Sequence, residues 1–207
     1  MRSVDFLRPK GRVASRLRAV FDPDPFSSHC LNLASGNDYR AGWDNADLYA
    51  PRADVRFNLE KLPWPFAEQA YDYVLADQIV EHLPDRIGAQ DGLLAVLGEI
   101  HRVLKPGGRV YIGVPHAVDP ETWRNPTHLR AFVPSTLKSL DANPGNGGDA
   151  SVLYQAGYSF RILDTVVLRR LRITRFFDSS YHVPKYVKRH VNLGAPWGIV
   201  WIMERPG

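Results

Sequence analysis

Residues 30–48, CLNLASGNDYRAGWDNADL, constrain the fold more than any other stretch of the chain. The apolar run Cys30-Leu31-Asn32-Leu33 suits a buried strand. Ala34-Ser35-Gly36 follows as a turn of small residues, where backbone can approach a ligand closely. Asp47 closes a second short strand, and its two carboxylate oxygens match the paired hydroxyls of a ribose. Strand, tight turn and acidic residue in that order suit a nucleotide-like ligand lying across the carboxyl ends of parallel strands. The turn lacks a full G-x-G-x-x-G pattern and is by itself a weak signal.

The chain has 207 residues, 44% of them hydrophobic and 23% charged, which suits one globular domain with a sizeable core. No apolar run approaches the ~20 residues that a membrane helix needs. The N-terminal MRSVDFLRPKGRVASRLRAV carries charge without a signal-peptide core, so a cytoplasmic location and no membrane partner are expected. The single cysteine, Cys30, excludes an internal disulfide and a cysteine-rich zinc site. A net charge of +4 is concentrated at the ends, from Arg2 to Arg18 and from Arg161 to Arg189. A solvated surface explains so small an excess better than a nucleic-acid footprint, although an anionic partner stays open.

Residues 1–28 form a basic leader with a short helical stretch at Val13–Val20, and residues 29–207 a single domain. Strands are expected at Cys30–Leu33, Asn45–Leu48, Val55–Leu59 and Tyr73–Ala76. Leu93, Leu94, Leu97, Ile100, Val103 and Leu104 have the spacing of an amphipathic helix, which Lys105-Pro106-Gly107-Gly108 stops. Arg109–Val114 is the next strand. Short helices follow near Pro134–Leu140 and Ala150–Ala156, separated by a glycine-rich stretch, residues 143–148, expected to be a mobile loop. Strands at Phe160–Leu168 and Ile199–Glu204 flank a basic, aromatic insertion near 169–197. Strands alternating with helices and ending in a late strand pair predict an open α/β sheet, mostly parallel, with an antiparallel last strand.

LNLASGNDYRAGWDNADL, FNLEKLPWPF, YDYVLADQIVEHL and EIHRVLKPGGRVYIGVP, in that order, resemble the class I S-adenosylmethionine-dependent methyltransferases, specifically the small bacterial type-11 group. NPTHLRAF is similar to a D-P-T-H-x-R-x-F element common in that group. The resemblance covers about residues 30–140. It implies a Rossmann-like, seven-stranded sheet with helices on both faces and S-adenosylmethionine as cofactor. It further implies that Ala34, Ser35 and Gly36 pass under the donor's amino-acid end, and that Asp47 takes the ribose. Leu48, Asn58 and Leu59 would then lie around the adenine, with Asp77 and Gln78 at the methionine moiety. The chain departs from the family's pattern at Ala34, where glycine is usual, and at Asn58, where aspartate is usual. The gap from Gly36 to Asp47 is too short for a full helix, so the phosphate site of a helix N-terminus is missing. A phosphate-free donor tolerates that absence, whereas a nicotinamide cofactor does not.

Methyl transfer from a sulfonium needs an in-line nucleophile in a dry site, and a neutral nucleophile also loses a proton. The expected proton acceptors are His116, directly after the fifth strand, and His128 in NPTHLRAF; each also has a structural reading as a loop-anchoring residue. Arg130 is expected to pair with an anionic substrate group or to bridge its loop, and Trp123 to wall the acceptor pocket or fill core. His82 is expected to help a helix pack near the pocket, with a catalytic part as the lesser reading. No metal site is expected, because the seven histidines show no H-x-x-x-H or clustered carboxylate spacing. The absence of G-x-S-x-G argues against a hydrolase. The expected function is methylation of an O or N nucleophile on a small or medium-sized acceptor. RNA-directed methylation, carried by Arg169, Arg170, Arg172, Arg175, Lys185, Lys188 and Arg189, is one alternative. A catalytically inactive SAM-fold binding module is the other.

Overall fold

The computed structural model describes residues 21–24, 27–170 and 195–207. Most of the basic leader, including the helical stretch expected at Val13–Val20, and most of the 169–197 insertion therefore lie outside the described residues. Six strands form one sheet: β1 (Cys30–Leu33), β2 (Asp44–Ala46), β3 (Tyr71–Asp77), β6 (Leu104–Pro115), β7 (Arg161–Arg170) and β8 (Ala195–Glu204). Their spatial order is β2-β1-β3-β6-β8-β7. β4 (Arg86–Ile87) and β5 (Gln90–Asp91) make a small separate hairpin. The first four strands of the sheet pair in parallel, and β8 runs antiparallel to both β6 and β7. This is the Rossmann-like sheet expected, with six strands described rather than seven. The strand expected at Val55–Leu59 is reduced to a single parallel bridge between Ala46 and Val55 at the sheet's edge. Asn58 Oδ1 accepts the Glu60 N–H and its carbonyl accepts the Lys61 N–H, which turns the chain away from the sheet.

The gap between β1 and β2 is filled by turns. Asn32 donates to the Asp38 carbonyl and to Asn45 Oδ1, and Asn45 Nδ2 reaches the Arg40 carbonyl and Asp54 Oδ2. Two buried asparagines thus satisfy backbone groups that a helix would otherwise have paired internally.

Helix α1 (Gly92–Val103) begins where Asp91 accepts the Leu93 and Leu94 N–H groups, and ends where Leu104 turns extended and continues as β6. Its buried Leu93, Val96, Leu97, Ile100 and Val103 pack on one face of the sheet with Leu31, Leu33, Val74, Ile112 and Trp201. The other face holds Cys30, Leu75, Tyr111, Val200 and Ile202 under Phe21 and Trp43. Helix α2 (Pro120–Arg124) follows β6, and α3 (Ala150–Ala156) packs Val152 and Leu153 on the α1 side. The helix expected near Pro134–Leu140 is a 3-10 turn, Thr136–Leu140. The expected mobile loop contains an Asn143-capped 3-10 turn, Pro144–Asn146, closed by Gly147 in the left-handed region.

Glu99 of α1 reaches across to the segment before β3. Its Oε2 accepts the Trp64 N–H at 2.6 Å, and both its oxygens bind Arg102, whose guanidinium also donates to the Phe66 and Trp64 carbonyls. Trp64 and Phe66 in turn pack edge-on against Phe57. Burial raises the Glu99 pKa, but Arg102 and the Trp64 N–H outweigh it and hold the carboxyl below its ordinary value of 4.5. Its contribution to stability is therefore present above pH 4.5 and is lost as pH falls through the lower folded value. Glu99→Gln is expected to cost about 2 kcal/mol in urea unfolding at pH 7, with the gap to the parent protein narrowing below pH 4.5. A gap that stays constant on acidification would contradict the ionised contact.

Candidate functional site

The chain runs from β1 to β2 on one side and then crosses to β3 on the other side of β1, so a crevice opens at the strands' carboxyl ends where the strand order reverses. A cleft of about 190 Å³ lies there, with Ala34 after β1, Ala46, Asp47 and Leu48 after β2, Phe57, Asn58 and Leu59, and Ile79, His82 and Leu83 after β3. Five residues expected to hold a donor (Ala34, Asp47, Leu48, Asn58 and Leu59) thus meet around one opening. Ser35, Gly36, Asp77 and Gln78, also expected at the donor, do not line it: Ser35 and Gly36 continue the turn after Ala34, and Asp77 and Gln78 stand at the end of β3 just before Ile79.

Ala34 adopts φ +50°, the left-handed region that an L side chain enters at a cost, and Gly36 also sits at φ +50°. The turn is held by Asp47. Its Oδ2 accepts the Gly36 N–H at 2.9 Å, while Oδ1 accepts those of Tyr49 (2.7 Å) and Ala50 (2.8 Å). Burial raises the Asp47 pKa, yet these three N–H groups and Arg56 outweigh it, and the carboxyl is held below its ordinary range. The carboxylate is thus fixed as an anion at the cleft wall with acceptor capacity remaining.

At and beside the end of β3 several polar side-chain atoms are buried. Asp77 ends β3 directly against Gly113, where an added Cβ would stand 2.2 Å from Asp77 Oδ1, so glycine is what leaves room for the carboxylate. Gln78 takes φ +56° and donates its N–H to the Gly113 carbonyl. Among the described residues, Asp77 Oδ1, Gln78 Nε2, both carboxylate oxygens of Glu81 and the Tyr111 hydroxyl are buried without a hydrogen-bond partner. Burial, with repulsion from Glu81, pushes the Asp77 pKa well up, and burial pushes Glu81 up to about 8. Such orphaned groups are costly unless a ligand satisfies them.

The expected proton acceptors separate in space. His116 does not line the cleft; its Nδ1 accepts the Val118 N–H, and its carbonyl accepts the Asp119 N–H and the Thr122 hydroxyl. Burial, then Arg169, lowers its pKa against the opposing effect of Asp119. His128 does not line the cleft but is drawn to His82, because the Leu129 and Arg130 N–H groups both reach the Glu81 carbonyl, and its ring centroid lies 4.8 Å from that of His82. His82, expected near the pocket chiefly as a packing residue, is the histidine that faces the cleft. Burial lowers its pKa, the Thr127 carbonyl opposes this and His128 adds to it, so the ring is held below the usual imidazole value. Arg130 is engaged by the carbonyls of Leu83, Pro84 and Asp85 and by Asp91 Oδ2. Trp123 is 69% exposed and donates Nε1–H to the Ala117 carbonyl; neither it nor Arg130 lines the cleft.

Although linear spacing pointed away from a metal site, the fold gathers Glu81, His82 and His128, with one ligating atom of each within 4.8 Å of the others. The signal was hidden because His128 reaches the pair from a distant loop.

Residues 27–112 match the profile of the methyltransferase domain, type 11. Among solved structures, a SAM-dependent methyltransferase from Archaeoglobus fulgidus is 18% identical, with 93% of each chain covered and a TM-score of 0.58. A candidate methyltransferase from Bacillus halodurans C-125 is 15% identical over 93% of this chain and 98% of that one, TM-score 0.57. The [4+2]-cyclase SpnF is 16% identical over 94% and 80%, TM-score 0.54. At these identities the likeness establishes the fold, and the cyclase shows that this fold does not dictate one reaction. Among curated proteins no sequence match reaches significance.

The strain at residue 34 gives a direct check. Ala34→Gly is expected to stabilise the protein by up to about 1 kcal/mol in denaturant unfolding, because glycine takes positive φ without the side-chain clash. Destabilisation on this substitution would contradict the left-handed turn.

Proposed function

On the premise that residues 27–112 form a type-11 methyltransferase domain, we propose that the cleft binds S-adenosylmethionine and delivers its methyl group to an O or N nucleophile of a small or medium-sized acceptor. The observation that carries this reading is the convergence of Ala34, Asp47, Leu48, Asn58 and Leu59 on one opening at the topological switch. Asp47 would accept the ribose hydroxyls, and Leu48 and Leu59 would enclose the adenine, with Asn58 at its polar edge. The orphaned atoms fit the other end of the donor. Asp77 Oδ1 and Gln78 Nε2 are an acceptor and a donor of the kind that an ammonium and a carboxylate require.

The bound donor supplies the activated methyl group. The chain's own contribution is to hold the acceptor in line and keep water out. A proton released by a neutral nucleophile would pass to the imidazole pair His82–His128, of which His82 lines the cleft. Val118, Trp123 and Leu129 leave apolar surface exposed on the segment that carries His128, which favours an acceptor with an apolar portion.

Calorimetric titration with S-adenosylmethionine and S-adenosylhomocysteine tests the reading. Both are expected to bind one per chain, and Asp47→Ala to weaken each by roughly tenfold or more, about 1.4 kcal/mol, with the far-ultraviolet circular dichroism unchanged. Absence of binding by the parent protein would overturn the proposal, and unchanged affinity in the variant would remove Asp47 from the site.

A further inference from the structure

We propose that Glu81, His82 and His128 form a binding site for a single divalent transition-metal ion of the zinc type. The inference is independent of donor binding, because it rests on a different set of atoms. The ligating atoms already lie within 4.8 Å of one another, with His82 Nε2 4.0 Å from Glu81 Oε1. Two imidazoles and one carboxylate are a donor set that zinc accepts in four-coordinate sites, leaving a fourth position for water or an exogenous ligand.

The hydrogen bonds around the rings fix which nitrogen is available. His82 Nδ1 lies 2.9 Å from the Thr127 carbonyl, and His128 Nδ1 lies 2.9 Å from the Thr122 carbonyl. A carbonyl only accepts, so each ring carries its proton on Nδ1 and presents a lone pair at Nε2. An imidazole oriented by a backbone carbonyl through one nitrogen is the usual arrangement of a metal-ligating histidine. The Asn125 amide donates to His128 Nε2 at 3.0 Å and would yield that lone pair to the ion.

Glu81 supplies the second, separate observation. It is 1% exposed, and among the described residues neither of its carboxylate oxygens has a hydrogen-bond partner. A buried carboxylate in that condition lacks the cation or donor that normally compensates its desolvation. An ion held between Glu81 and the two imidazoles would provide it. The backbone is already committed to this geometry, since the Glu81 carbonyl accepts the N–H groups of both Leu129 and Arg130 and keeps the His128 loop against Val80–His82. Because metal coordination and proton uptake use the same Nε2 lone pairs, an occupied site excludes the imidazole pair from accepting the nucleophile's proton.

The test uses the full-length chain, stripped with a chelator and titrated with Zn²⁺ in competition with a chromophoric chelator. One Zn²⁺ per chain is expected, with affinity reduced at least ~100-fold in Glu81→Gln and in His128→Ala. Thermal melts of the metal-free variants verify their folding. In the parent protein, long-range ¹H–¹⁵N spectra should show the Nε2 signals of His82 and His128 shifting at one equivalent of Zn²⁺, which needs no variant. Zn²⁺ binding that is equally tight in the Glu81→Gln/His128→Ala double variant, or Nε2 signals that do not move, would overturn the site. Calorimetry with S-adenosylhomocysteine on the metal-free protein reports separately on donor binding, so the two readings fail independently.

Discussion

The cleft depends on β1 being paired in parallel on both sides, to β2 through Leu31, Asn32 and Leu33 and to β3 through all four of its residues. Parallel pairing brings the carboxyl ends of neighbouring strands to one edge of the sheet. Because the chain continues to β2 on one side and returns through β3 on the other, the turns leaving those ends diverge and a crevice remains between them. Ala34, Asp47 and Asp77 are the first residues past, or the last within, these strands. Their proximity follows from the topology before any side-chain interaction is considered. Asp47 then fixes the spacing by tying Gly36 to the β2 exit.

The edge is bought with local strain and with buried polarity. Ala34 and Gln78 both take left-handed backbone, and Asp77, Glu81 and Tyr111 hold buried polar atoms that the described protein groups do not satisfy. Strain and unsatisfied polarity in the same few residues are characteristic of ligand sites rather than of folding cores. The supporting structure is conventional by comparison. Glu99 and Arg102 anchor the Trp64–Phe66 segment, whose aromatic rings back Phe57 on the cleft wall.

Much of this was legible in the sequence where one physical signal dominated. The spacing of Leu93, Leu97 and Ile100 located α1, and Cys30–Leu33 and Ala150–Ala156 were placed with their observed bounds. Val55–Leu59 has the composition of a strand but no room to pair beyond one bridge, because Asn58 starts a turn. Pattern reasoning cannot detect that competition. The residues around the cleft were legible as an ordered series of motifs. His82 was legible only as a residue near the pocket, because the contact that orients its ring comes from Thr127, 45 residues away. Linear spacing likewise could not show that Glu81, His82 and His128 converge.

The crystal structure of the protein with bound S-adenosylhomocysteine tests the central claim most directly. The ribose hydroxyls are expected on Asp47, the adenine between Leu48 and Leu59, and the amino-acid end at Asp77 and Gln78. Ligand bound elsewhere, or an occupied cleft with Asp47 touching only backbone, would contradict it.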